Sequence, residues 1–132
     1  MSDKNIDLCV RWLICCIWLP TGVYQIFNFQ DAINQITNNG IPLPWLVAVL
    51  TIAMKIVGTI LVLMNRWVKE VMLVWIAFVL VATPIFHADI ILEGKLNTFH
   101  FVQTLKNLAI VGGMLAYFQL VRRFEVGETS QY

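Results

Sequence analysis

The chain has 132 residues, of which 59% are hydrophobic and 13% charged, with a formal net charge of +1. Ordinary soluble domains carry about 45–50% apolar and about 25% charged residues, and one of this length cannot hide so much apolar surface in its own interior. A soluble globular fold is thereby excluded, lipid becomes part of the solvent, and the near-neutral balance argues for no nucleic acid partner.

The first apolar stretch covers residues 8–29, near the roughly 20 residues that cross a hydrocarbon core of about 30 Å. It holds all three cysteines, Cys9, Cys15 and Cys16, none at a metal-site spacing, and they read as small apolar side chains. The stretch is too long for the apolar region of a cleavable signal, contains Arg11 and lacks a following small-residue cleavage site, so it is expected to stay attached. Arg11, Cys15, Trp18, Gly22, Gln25 and Phe29 recur at steps of four and three, which defines one helical face turned towards the other helices. A polar loop, residues 30–44, follows, with Asn38, Asn39, Gly40, Pro42 and Pro44 as turn formers.

The second span, residues 45–64, places Lys55 about 15 Å from either surface at the helical rise, which is the bilayer midplane. A tight polar link leads to the third and shortest span, residues 71–86, whose Thr83-Pro84 pair loosens the helix near its end. A loop from His87 to His100 then enters the fourth span, residues 101–121, and residues 124–132 form a polar tail. On the fourth span His100, Gln103, Lys106 and Asn107 make a polar stripe. Gly58, Gly112 and Gly113 permit close helix approach.

Because unpaired backbone groups are so costly in lipid, the spans are helices, and the expected fold is an all-α integral membrane four-helix bundle in a single domain, residues 1–132. Lys4, Arg66, Lys69, Arg122 and Arg123 lie on one side and only Lys95 on the other, which places the N- and C-termini in the cytoplasm. Trp12, Trp45, Trp67, Tyr117 and Phe124 sit near span ends as interfacial anchors.

A cation inside a span costs about 2.5–3.5 kcal/mol on insertion scales and needs a reason to be there. Arg11 is near enough to the cytoplasmic end to snorkel, whereas Lys55 is not, and no Asp or Glu occurs within the four spans to pair with it. With the polar stripes turned inward, Gln25, Asn28, Gln103, Lys106 and Asn107 converge in the outer half of the bundle with Lys55 at the floor. That cavity is a candidate site for a small-molecule ligand such as a quinone head group, with Trp18 and Phe29 flanking the ring. The rival reading is a non-catalytic scaffold or chaperone in which Lys55 pairs with a carboxylate on a second copy of the chain or on another membrane subunit. A small transporter is a third, disfavoured by the lack of an inverted repeat. His87 and His100 have the chemistry to hold a haem or a metal, but their place at the membrane surface argues against it. No metal site is expected, and the absence of nucleophile-elbow, P-loop, zinc and dinucleotide motifs leaves no catalytic residue to name.

The order of these features resembles the DoxX family of small bacterial four-helix membrane proteins. Carrying the resemblance are Arg11-Trp12-Leu13 with Gly22 and Phe27, Ile41-Pro42-Leu43-Pro44 before the second span, and Ile56-Val57-Gly58 within it. His87 closes the third span and the segment from Phe101 to Ala109 opens the fourth. Two positions depart from the family pattern, with Gln25 in place of a lysine and Lys55 in place of an acid. The resemblance implies a four-helix bundle in the bacterial inner membrane. For some members it implies association, as an accessory subunit, with quinone-linked redox systems, and for others a role in membrane-protein assembly.

Overall fold

The computed structural model describes residues 3–92 and 94–129, with side chains over 4–91 and 94–123. It is all-α apart from one short hairpin, and four of its helices are long and apolar enough to cross a membrane. The chain divides into two compact units, Met1–Trp67 and Val68–Tyr132.

In the first unit, α1 (Asp3–Phe27) packs on α3 (Pro44–Leu63). The face expected to be buried is the one that packs: Cys15, Trp18 and Gly22 are buried and Arg11 and Gln25 half-buried, because steps of four and three follow one side of a helix. The Cys15 thiol and the Thr59 hydroxyl of α3 lie against each other, and both residues are fully buried. Pro20 interrupts α1 without ending it, and the Thr21 hydroxyl donates to the Ile17 carbonyl (2.6 Å). Near the N-terminal end of α1 the Arg11 guanidinium pairs with Asp7, one turn earlier.

The segment 30–44, expected as a loop, instead begins with a helix, α2 (Phe29–Asn38). Its apolar residues Phe29, Ala32, Ile33 and Ile36 fall at i, i+3, i+4 and i+7, so the helix has one oily side; Ala32 and Ile36 are buried, and α2 packs on α3. Gly40 takes φ +71° in the turn that follows, a conformation costly for any residue with a Cβ. Pro44 starts α3 at its first turn, where a missing N–H leaves nothing unsatisfied.

In the second unit, α4 (Val68–Phe86) packs on α5 (Thr98–Thr129). Val68, Val71, Met72, Trp75, Ile76 and Val79 of α4 are buried, as are Val111, Met114 and Tyr117 of α5. The connection holds a two-stranded antiparallel hairpin, β1 (Ile91–Leu92) with β2 (Lys95–Leu96), in the register Ile91 to Leu96 and Leu92 to Lys95. Gly94 supplies the left-handed backbone, φ +75°, that so tight a turn requires.

Four expectations change at this level. Residues 124–129 continue α5 rather than starting a polar tail, and Ser130 to Tyr132 lie outside the described residues. Tyr117 is buried in the second unit instead of standing exposed as an interfacial anchor, whereas Trp12, Trp45 and Trp67 are exposed. A Cβ added at Gly112 or Gly113 would meet nothing within 4 Å, so among the described residues of the second unit these glycines are not points of close helix approach. Lys106 is exposed, off the half-buried line of Gln103, Asn107 and Ile110, because a 100° step per residue carries it around the helix from Asn107.

Candidate functional site

The site is built on one close helix contact. At Gly22 the backbone of α1 lies so near α3 that an added Cβ would stand 3.1 Å from Lys55 Cβ and 2.9 Å from Ile56 Cδ1. One turn further along α1, that approach brings Gln25 over Lys55, and the Lys55 Nζ donates to Gln25 Oε1 at 2.8 Å. Lys55 is 8% exposed, so its ammonium is held where desolvation is costly and each polar neighbour counts.

Around this pair opens a cleft of about 520 Å³ lined by residues of α1, α2 and α3. Its wall is a single polar stripe, Thr21, Gln25, Asn28, Asp31, Gln35 and Asn38, at steps of four and three across the junction of α1 and α2. The stripe survives the junction because helical bonding continues through it, with Asn28 N–H donating to the Tyr24 carbonyl (3.0 Å) and Ala32 N–H to the Asn28 carbonyl (3.2 Å). Asn28 itself leaves helical geometry, φ −118° and ψ 46°, and its Nδ2 also donates to the Tyr24 carbonyl (2.9 Å), which bends the chain without breaking the stripe. Asp31 stands in the first turn of α2, where the helix dipole favours a carboxylate.

Chemically the cleft offers an ammonium, a carboxylate, side-chain amides and the hydroxyls of Thr21 and Tyr24. Such a set recognises oxygen acceptors and small polar groups.

Of the expected site residues, Gln25 and Lys55 meet directly, and Asn28 lines the same cleft. Lys55, expected without a carboxylate in its own chain, has an amide oxygen as its hydrogen-bond partner, and Asp31 contributes a carboxylate to the cleft from a segment expected to be a loop. Trp18 is buried, 4% exposed, and does not line the cleft; nor does Phe29. Gln103, Lys106 and Asn107 belong to the second unit, where Asn107 Nδ2 donates to Thr83 Oγ1 (3.0 Å) and Thr83 donates to the Val79 carbonyl (2.6 Å). Thr21, Tyr24, Asp31, Gln35 and Asn38 join the cleft without being expected there. For all of these but Tyr24 a signal was present, the four-and-three spacing running on from the first span into the supposed loop.

A family model, DoxX, matches residues 6–88, which covers all of α1, α2, α3 and α4 except the first residues of α1. No curated protein and no solved structure matches the chain.

Proposed function

The chain belongs to the DoxX family, and we propose that it is a non-catalytic accessory subunit of a membrane redox system, holding a membrane-borne ligand by its head group in the cleft around Gln25 and Lys55. The observation that carries this reading is Lys55: a lysine 8% exposed, hydrogen-bonded to an amide and set in a polar cleft in the middle of an apolar helix. An ammonium has three donors, and the Gln25 amide oxygen takes one. A head group with carbonyl or anionic oxygens takes the others, offsetting a burial that lipid alone would penalise by about 2.5–3.5 kcal/mol. Quinones fit this description, since each carbonyl oxygen accepts hydrogen bonds and the isoprenoid tail remains in lipid. Lys55 and the Gln25 amide would hold one carbonyl, with the Tyr24 hydroxyl and Asn28 available to the rest of the ring.

The test is the content of the purified protein. Full-length chain extracted in mild detergent is expected to carry quinone, measured by organic extraction and mass spectrometry, and Lys55→Met to lower the quinone-to-protein ratio at least tenfold while the helical circular dichroism is unchanged. Quinone at the level of bulk lipid in the wild type, or equal retention by the variant, overturns the reading.

A further inference from the structure

The two histidines of the chain, His87 and His100, come from opposite ends of the connection between α4 and α5 and meet through their ring nitrogens, Nδ1 to Nδ1, at 3.1 Å. The rings are tilted by 53° with centroids 5.4 Å apart, so the contact is edge to edge rather than a stack. Both residues are half-buried. Each is fastened from behind: His87 N–H donates to the Thr83 carbonyl (2.9 Å), the His100 carbonyl accepts from the Thr104 hydroxyl (2.9 Å), and the Phe99 ring stands edge-on to His100. Among the described residues no group of three His, Cys, Asp or Glu side chains is arranged to hold a metal ion, and the charged neighbour of His87 is a cation, Lys106.

The contact between the two rings is governed by where their protons lie. A bond between two Nδ1 atoms needs a hydrogen on one nitrogen and a lone pair on the other. Two neutral rings in opposite tautomers satisfy it, and so does one imidazolium donating to a neutral ring. Two imidazolium rings do not, since both nitrogens then carry hydrogens and two like charges face each other 3.1 Å apart beside Lys106. We propose that His87 and His100 are a proton-operated latch, which ties the end of α4 to the start of α5 while at most one ring is charged and releases the hairpin connection when the second proton binds.

The groups that bear on His87 point the same way. Burial first, then the facing His100 and Lys106, hold its pKa below the usual 6.5. Asp89 and Lys95 of the connection are exposed. A histidine whose pKa is lowered in the folded state binds fewer protons there than in the released state. The latch is thus fully formed above about pH 6.5, weakens as pH falls below that value, and is open below the lowered pKa. What the latch governs is the connection itself, where Asn97 N–H donates to the Ile90 carbonyl (2.7 Å) and His100 N–H to Asn97 Oδ1 (3.4 Å).

Full-length protein labelled with ¹⁵N-histidine and held in lipid nanodiscs gives four ring-nitrogen signals, which are followed from pH 8 to pH 4. His87 is expected to take up its proton at lower pH in the wild type than in His100→Gln, where the facing ring is gone. In parallel, amide exchange at Ile90 and Asn97, corrected for its intrinsic pH dependence, is expected to quicken about tenfold as His87 takes up its proton in the wild type and to be flat in the His87→Gln/His100→Gln double variant. Titration of His87 at the same pH with and without the His100 ring overturns the latch. So does exchange that is equally flat in both proteins.

Discussion

At the scale of single residues, the site depends on an atom that is missing. Gly22 has no Cβ, and that is what lets α1 lie against Lys55 and Ile56. Gly22→Ala places its methyl 2.9 Å from the flexible end of Ile56, which can rotate away, and 3.1 Å from Lys55 Cβ, which cannot. The cost is expected to be small. Gly22→Leu adds a branched side chain with nowhere to go, and is expected to destabilise the first unit by about 1–3 kcal/mol, the usual range for overpacking. Reversible unfolding in mixed micelles measures both, and equal stability of Gly22→Leu and wild type would show that the contact is loose. The Lys55 and Gln25 pair is a second residue-scale device. Replacing Lys55 with Met removes charge and donor together, which is why ligand content rather than fold is the property expected to change.

At the scale of elements, α2 is the piece whose loss would open the cleft. Ten residues are too few to hold as an isolated helix in water, so α2 depends on the packing of Ala32 and Ile36 and on the helical bonds that pass through Asn28. Ile36→Asp puts a carboxylate into a buried position, 7% exposed in the wild type, with about 1–3 kcal/mol of desolvation to be relieved. The expected outcome is detachment of α2 with α1 and α3 intact: limited proteolysis within 29–40 becomes rapid and quinone retention falls, while total helix content drops by about one short helix. Intact protection of 29–40 in this variant would mean that α2 is held by the bilayer rather than by α3. The hairpin between α4 and α5 is the corresponding element of the second unit. Its amides report on the histidine latch, because its two short strands leave few bonds to resist exchange.

At the scale of the molecule, the membrane orientation is a proposal that rests on the distribution of Lys and Arg: we propose that α1 begins and α5 ends on the cytoplasmic side. A fluorescent-protein fusion after Tyr132 is expected to glow and an alkaline phosphatase fusion there to be inactive, while phosphatase inserted after Gly94 is expected to be active. The reverse pattern would place the latch in the cytoplasm, where it would read cytoplasmic instead of external pH. Apolar side chains left exposed on the spans, such as Leu13, Leu73, Val81 and Leu108, suit helices surrounded by lipid.

The residue order by itself determined the four spans, their helical nature and the packed face of α1. Lipid allows only internally hydrogen-bonded elements of a set length, and steps of four and three mark one side of a helix whatever it packs against. The same rule, carried past residue 29, would have revealed α2 and its packed side, Ala32 and Ile36; the polar and turn-forming residues of that segment obscured it. Tertiary structure alone decided who meets Lys55 and whether two histidines touch. Gln25 and Lys55 are 30 positions apart and His87 and His100 are 13 apart. Such pairs depend on the axial register of one helix against another, which packing sets to within one side chain and periodicity does not encode. The cationic Lys55, read from the sequence as a charge in want of a carboxylate, is in the fold a donor to an amide in a polar cleft.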